Sequence, residues 1–469
     1  MASTNDSDDI DATVNSGDLT IDGLLTEYHW SSFARSFFAF AIPDNETDYE
    51  DSRDLLIDSY PDDNHNFVTT MPAFMVTGIR TAIKEYENIL NFAIPESADN
   101  SIDTQLRYGL ITSDTEHDVP PPAYAWVPQD DGFTSEQENW KSGDTFWNSN
   151  RFSVSNNPGG TLVGTYQYHT ILHETGHALG LKHGHEAEHG NAALPAAWDS
   201  MEFTVMTYRS FVGQVLDADG DGKDDGYTVT AGDYAQTLMM LDIRALQHLY
   251  GVDFTTQSSD TVYRWDTQGK YFINGAEQWD TATNTIFLTI WDGGGVDTYD
   301  FSAFTTNQFI DLAPGRSSNL GTQLAQLDTG QNARGNVFNA LLYNNDSRSL
   351  VENAIGGSGA DTIQGNNANN RLEGGGGADD LLGLGGIDTL FGGAGADDLF
   401  GAELDDMLTG GDDGDLLNGG AGFDTAAYTS PTGETVTITP ILNPDLGRWT
   451  VTGPAQAAGD TLAGIEAFV

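Results

Sequence analysis

The sequence predicts a two-domain chain: an α/β domain over residues 21–251, followed by an all-β domain of parallel roll or sandwich type over 252–469. Three observations carry this reading. Helical periodicity alternates with short strand-like runs in the first half. A nine-residue Gly/Asp period runs through the second half. The chain holds 54 Gly and no Cys, so glycine is concentrated in a local repeat and no disulfide framework exists.

The elements follow in order. Residues 1–20 are polar, acidic and aperiodic, and read as a disordered leader or propeptide. Thr70-Met71-Pro72 opens a helix with Phe74, Met75, Ile79, Ile83, Tyr86 and Leu90 at helical spacing. Strand-like runs cover 106–112, 123–127 and 145–154. A second helix is expected over about 165–179, stopped by Gly180. A third is expected over about 234–250, with Met239, Ile243, Leu246 and Tyr250 on one face and Gly251 as its stop. Beyond Gly251 the chain turns to short β segments joined by Gly, Asp and Asn, ending in strands such as 434–438 and 448–452.

Lys and Arg total 18 against 71 Asp and Glu, a net charge of −53. That charge excludes a nucleic-acid backbone or an anionic membrane as the main partner, since both need a positive surface. With 38% hydrophobic and 10% aromatic residues the chain is not globally disordered. No apolar run is long enough to insert in a membrane, and the stretch 33–43 is short and carries Arg35. The first residues have no basic start and no apolar stretch, so no N-terminal secretory signal of the usual kind is expected.

Between Gly356 and Ala427 eight nine-residue units begin at Gly356, Gly365, Gly374, Gly383, Gly392, Gly401, Gly410 and Gly419. Their sixth place is Asp361, Asn370, Asp379, Asp388, Asp397, Asp406, Asp415 and Asp424. The eighth place is Ile363, six leucines from Leu372 to Leu417, and Ala426. A flexible Gly-rich linker would not lock Asp and Leu in phase. The pattern is that of a calcium-binding β-roll, in which glycine turns expose carbonyls and the Asp supplies a carboxylate. Oxygen-only ligation on such turns suits several Ca2+ ions.

The second chemical signal is His173-Glu174-Thr175-Gly176-His177-Ala178-Leu179-Gly180-Leu181-Lys182-His183. On a helix His173 and His177 lie one turn apart on one face, so both imidazoles can grip one ion. Glu174 lies about 100° round the helix, placed for a water rather than for the metal. Gly180 permits a sharp turn that brings His183 back as a third ligand. Three histidines with an open position describe a single catalytic Zn2+ rather than a closed structural site. His29, His65, His117, His169 and His248 are isolated and read as structural.

Together with Ser200-Met201-Glu202-Phe203-Thr204-Val205-Met206-Thr207-Tyr208, these eleven residues resemble the metzincin signature and its Met-turn. Within that clan the chain resembles the serralysins, secreted bacterial zinc endopeptidases. Asp242-Ile243-Arg244-Ala245-Leu246-Gln247-His248-Leu249-Tyr250-Gly251 is similar to the helix that ends their catalytic domain. Trp291-Asp292-Gly293-Gly294-Gly295-Val296-Asp297 and Glu352-Asn353-Ala354-Ile355-Gly356-Gly357 are similar to the start of their calcium-binding domain. The resemblance implies a mixed five-stranded sheet with helices in the first domain and an RTX β-roll in the second.

It also implies roles. His173, His177 and His183 would hold zinc, with Glu174 as general base and Met206 as the apolar floor. Tyr208 would be an additional zinc ligand that swings to the transition-state oxyanion. Ala123, Tyr124, Ala125 and Trp126 would be the edge strand that aligns a protein or peptide substrate. Asp260, Asp292, Gly294, Gly295, Asp297, Glu352, Gly357 and Gly359 would join the repeat carboxylates as calcium ligands. The closing Glu466-Ala467-Phe468-Val469 fits the family's C-terminal signal for type I secretion machinery. A monomeric, extracellular, calcium-folded enzyme is the expectation.

Two departures stand out. The stretch 184–199 is short for the family. The acidic stretch 217–225 reads as an insertion, with Asp217, Asp219, Asp221 and Asp225 at the first, third, fifth and ninth places of an EF-hand-like loop. Thr228 stands where the bidentate Glu belongs, so both a compact calcium loop and a solvated acidic hairpin stay open. Two other classes of function also remain open at this level. One is a calcium-dependent binding or adhesion protein with a vestigial protease domain. The other is an RTX enzyme acting on polysaccharide or lipid, although the absence of Gly-x-Ser-x-Gly removes its serine-lipase form.

Overall fold

The computed structural model describes residues 10–32, 35, 38–42, 71–97, 104–111, 122–128, 142–153, 162–187, 191–217, 226–281, 283–428, 437–440, 448–452, 460–465 and 467–468. The chain forms two compact units, Met1–Asp253 with Gln326–Asn332, and Phe254–Ala325 with Ala333–Val469. Gln326–Asn332 is a hairpin bound to the first unit through Thr228 Oγ1 to the Leu327 carbonyl at 2.8 Å and Thr230 N to the Gln326 carbonyl at 2.9 Å.

In the first unit the sheet order is Phe40–Ala41, Leu106–Ile111, Asp144–Asn148, Ala123–Ala125. The first three strands run parallel, and Ala123–Ala125 closes one end antiparallel to Asp144–Asn148. Five strands were expected; among the described residues there are four. Among the described residues the segment beside Phe40 makes a single bridge, Phe40 with Glu96, and Pro95 has no N–H with which to extend the ladder on its side. The buried Arg107 guanidinium and Asp144 carboxylate join the two central strands in a bidentate pair at 2.7 and 2.8 Å.

Four helices belong to this unit among the described residues: α1 Leu19–Asp22, α2 Ala73–Glu87, α3 Tyr166–Ala178 and α4 Met240–Tyr250. Their apolar faces supply the core, with Met75, Ile79, Ala82, Ile83 and Tyr86 of α2 buried. Two expectations need correction. The stretch read as a disordered leader is ordered from Ile10: Ile10–Ala12 pairs antiparallel with Tyr28–Trp30, and Asp18 caps α1. The third predicted helix begins at Met240 rather than near Tyr234. The Asp242 carboxylate turns back to accept the Met239 N–H at 3.0 Å and sets the N-terminus there.

The second unit is rich in parallel β-structure. Rungs alternate between two sheets, one containing Arg371–Gly376, Thr389–Ala394 and Met407–Asp412, the other Asp380–Gly385, Asp398–Glu403 and Leu416–Ala421. Ile363, Leu372, Leu381, Leu390, Leu399, Leu408, Leu417 and Ala426 are fully buried between the sheets. The nine-residue period thus places one core side chain per rung. This row continues into an aromatic core of Tyr263, Trp265, Tyr299 and Phe301. Among the described residues no helix is long and apolar enough to cross a membrane.

Candidate metal centre

Thr165 caps α3, its hydroxyl accepting the Tyr168 N–H, and the helix carries His173 and His177 on one face. α3 stops at Ala178, and Gly180 takes a φ of +90°, which a side chain would disfavour. The segment from Leu24 to Trp30 straps this turn. Lys182 N donates to the Leu24 carbonyl, Thr26 N to Gly180, and the Trp30 indole to Ala178, each within 3.0 Å. The turn returns His183 to the helix, so that His177 Nε2 lies 3.0 Å from His173 Nε2 and 3.1 Å from His183 Nε2.

The other ring nitrogens decide what those three atoms can do. His173 Nδ1 is 2.7 Å from the Val205 carbonyl, His177 Nδ1 2.8 Å from the Leu181 carbonyl, and His183 Nδ1 3.0 Å from Glu186 Oε2. These oxygens accept, which assigns the proton of each ring to Nδ1 and leaves a lone pair on Nε2. Burial also lowers the pKa of His173 well below the usual histidine value and favours the neutral ring. Three converging lone pairs about 3 Å apart repel unless a cation lies among them. Tetrahedral zinc with nitrogen at about 2.0–2.1 Å would separate its ligands by roughly 3.3 Å, so the donor set fits that ion.

Residues 203–206 hold the far side of the site. Asp242 of α4 accepts from the Thr204 hydroxyl and from Val205 N at 2.8 Å, and the Val205 carbonyl in turn orients His173. Met206 is fully buried, and a Cβ on Gly176 would stand 2.6 Å from its sulfur, so the Met206 side chain lies directly against α3. The Tyr208 ring packs 4.6 Å from the His183 ring and 5.7 Å from the His173 ring between centroids. It is flanked by Thr207 and Arg209, both bound to the Asp199 carboxylate. Glu174 is 6% exposed, and burial pushes its carboxyl up to about 8. The Ala123–Ala125 strand packs beside α3, and Trp126 N donates to the Asp144 carbonyl.

Sequence reasoning passed over Glu186, Asp199 and Asp242 of this site, while His169 was read as structural. Asp242 and Asp199 act through contacts 37 and 8 residues away. Glu186 holds His183, and a signal for it existed, an acid three places after a ligand. His185 stacks on His183 at 5.1 Å and on Tyr208 at 4.7 Å. His169, one turn before His173, is fully buried beside Tyr227 and Tyr234 and is held neutral, its pKa lowered to about 3. Asp242→Ala is expected to destabilise the first unit by roughly 3 kcal/mol or more, since three buried donors lose their acceptor. Urea unfolding of the variant measures this.

A separate group of carboxylates stands in the second unit. Asp292 accepts from Gly294 N at 2.7 Å and from the Tyr263 hydroxyl at 2.6 Å. Asp297 accepts from Thr261 N, its own N–H reaches Glu352 Oε2 at 2.8 Å, and its buried Oδ2 has no hydrogen-bond partner. Asp260 accepts from Val296 N at 3.0 Å. Gly294 and Gly295 adopt φ of +141° and +142°. Gly357 N donates to Asp361 Oδ2 at 2.8 Å, and a Cβ on Gly359 would meet the backbone of Thr306 at 2.5 Å. Burial raises Asp292 and Asp297 together and pushes Glu352 to about 7.

In the repeat, the second carboxylate oxygens of Asp379, Asp388, Asp397, Asp406 and Asp415 are buried without a hydrogen-bond partner. Such a row of orphaned acceptors fits oxygen-seeking cations. Of the acidic insertion only Asp217 is described, and it is exposed; Asp219, Asp221 and Asp225 lie outside the described residues, as do Glu466 and Val469.

Residues 252–440 match the family described as Peptidase M10 serralysin C terminal. The chain is 30% identical over 325 residues to Serralysin G of Dickeya chrysanthemi, covering 67% of this chain and 58% of that protein. The chain is a serralysin relative. It is also 31% identical over 310 residues to Serralysin of Proteus mirabilis, with 62% and 54% covered. To Metalloprotease AprA of Pseudomonas entomophila it is 33% identical over 251 residues, with 52% and 44% covered. This serralysin relative therefore spans about half the length of the proteins it matches.

Proposed function

We propose that the protein is a secreted zinc-dependent endopeptidase that cleaves internal peptide bonds of proteins and carries a calcium-stabilised second domain. The observation that carries this is the convergence of three Nε2 atoms within 3.1 Å, with the buried Glu174 next to His173. The serralysin and metalloprotease relatives support it. The proposed domains are a catalytic domain over 21–251 and a calcium-binding domain over 252–469. Release through type I machinery and action as a monomer belong to the same proposal.

His173, His177 and His183 would hold the zinc, with Tyr208 as a further ligand. When bound, zinc supplies a Lewis acid that polarises the scissile carbonyl and acidifies water. The carbonyls of Val205 and Leu181 and the Glu186 carboxylate accept from Nδ1 and so aim the Nε2 atoms of the three imidazoles at one point. Glu174 takes the attacking water's proton and returns it to the leaving amine. Its raised pKa suits a group that must both accept and donate near neutrality. The Tyr208 hydroxyl donates to the developing oxyanion, an interaction realised in the transition state. The backbone of Ala123, Tyr124, Ala125 and Trp126 aligns an extended substrate by adding it to the sheet edge.

In the second domain Asp260, Asp292, Gly294, Gly295, Asp297, Glu352, Gly357, Gly359 and the repeat carboxylates would bind calcium, and Asp217 with its neighbours a further ion. Purified protein is expected to hydrolyse casein, to hold about one zinc per chain, and to lose both with a zinc chelator or in His177→Ala. A folded, calcium-loaded sample that binds no zinc or leaves casein intact refutes the proposal.

A further inference from the structure

The role proposed for Tyr208 needs a ring that moves on a backbone that does not. Two bonds tie that backbone to the turn carrying the third histidine. Gly184 N donates to the Met206 carbonyl at 3.1 Å and, two residues on, Tyr208 N donates to His185 Nδ1 at 3.3 Å. The turn is itself pinned from inside by the wholly buried Lys182, whose ammonium donates to the His183 and Glu186 carbonyls at 3.1 and 2.7 Å.

The His185 side chain is 3% exposed. Its ring centroid lies 4.7 Å from that of Tyr208 and 5.1 Å from that of His183, and the His183 and Tyr208 rings are 4.6 Å apart. Each of the three rings thus packs on the other two. Because Nδ1 accepts from an amide, the proton of a neutral His185 ring sits on Nε2, 3.6 Å from Glu186 Oε1. The other oxygen of that carboxylate, Oε2, is 3.0 Å from His183 Nδ1. One carboxylate therefore faces both the third histidine and the ring that receives the Tyr208 amide.

We propose that His185 is a positioning residue for Tyr208: its Nδ1 anchors the Tyr208 backbone, and its ring sets the resting place of the phenol beside the histidine cluster. Imidazole suits this task because one flat side chain offers both an acceptor for the amide and a face for the phenol. The inference rests on the reading of Tyr208 as a working phenol. It adds the residue that places it, at a position the spacing of the three histidines leaves unspecified.

Two variants of the full-length protein separate these contributions. His185→Phe keeps a ring and removes the acceptor, whereas His185→Asn keeps an acceptor near the place of Nδ1. In the metal-free protein, hydrogen exchange at the Tyr208 amide should quicken about tenfold or more in His185→Phe and stay near the unaltered rate in His185→Asn. With zinc bound, kcat for a quenched-fluorescence peptide should fall about 10- to 100-fold in His185→Phe, the order of loss when a positioned group shifts by an ångström. KM and zinc content should hold, and His185→Asn should recover most of kcat. A merely structural role would instead lower stability and zinc content and would not follow the acceptor.

Tyr208→Phe supplies the reference. If it lowers kcat while His185→Phe does not, or if the Tyr208 amide exchanges no faster in His185→Phe, the positioning role is overturned and the reading of Tyr208 stands. If Tyr208→Phe itself turns over normally, the reading of Tyr208 fails and the proposal falls with it. Should His185→Phe not fold, His185→Ala takes its place, and a normal kcat there overturns the proposal.

Discussion

Glu174→Ala is expected to slow peptide hydrolysis by roughly 10²–10⁴-fold while retaining zinc, the range lost when a general base is removed. Glu174 follows the first histidine of the cluster and so projects about 100° away from it on α3. It is buried, and the three ring nitrogens converge without it. Removal should therefore leave the metal in place and act on the chemical step, lowering kcat with little change in KM. A quenched-fluorescence peptide gives the rate constants, and elemental analysis gives the zinc content. Near-normal turnover in Glu174→Ala would remove the residue from the mechanism. Loss of zinc would make it a ligand.

Withdrawing calcium is expected to unfold the roll, and the size of the effect depends on pH. Residues 356–427 hold 12 Asp and 2 Glu against Arg371 alone, a net charge of 1 − 14 = −13. Folding stacks these charges on neighbouring rungs, where like charges repel. Burial pushes Asp379, Asp397 and Asp406 up to about 7 and Asp388 and Asp415 up to about 6. These folded values lie above the usual carboxylate value, so the calcium-free folded roll binds protons that the unfolded chain releases. Its stability is then highest at or below about pH 4 and falls as pH rises through 6–7. Calcium reverses this above neutrality by neutralising the carboxylates, so binding free energy becomes folding free energy.

Circular dichroism and hydrogen exchange of the full-length protein with a calcium chelator, at pH 5 and pH 8, test this switch. Protection of the rungs at 380–421 should be weak at pH 8, stronger at pH 5, and restored by calcium at roughly the 0.1–1 mM affinities of extracellular modules. Full protection at pH 8 without calcium would refute it. A chain that stays loose at low calcium and folds where calcium is plentiful suits the proposed route out of the cell.

Much of this protein is written in short periods. Helical spacing places His173 and His177 on one face because 3.6 residues make a turn, whatever the helix packs against. The nine-residue phase dictates a buried aliphatic side chain on every rung from Ile363 onward, and a carboxylate on all of them but the one that carries Asn370, because each rung meets the same neighbours. The limits of α4 were less legible: its apolar face could be read, but its start is set by Asp242 turning back onto Met239.

By itself, then, the sequence determined the donor types, their local spacing and the repeat. Such features arise from interactions between residues a fixed few places apart, and any fold of those segments preserves them. Only the tertiary structure decided which distant groups complete the sites. Asp242 holds the Val205 carbonyl that aims His173, the strap from Leu24 to Trp30 turns His183 back, and His185 receives the Tyr208 N–H across 23 residues. These contacts depend on the path of the intervening chain and on burial from all sides. Neither leaves a period in the sequence.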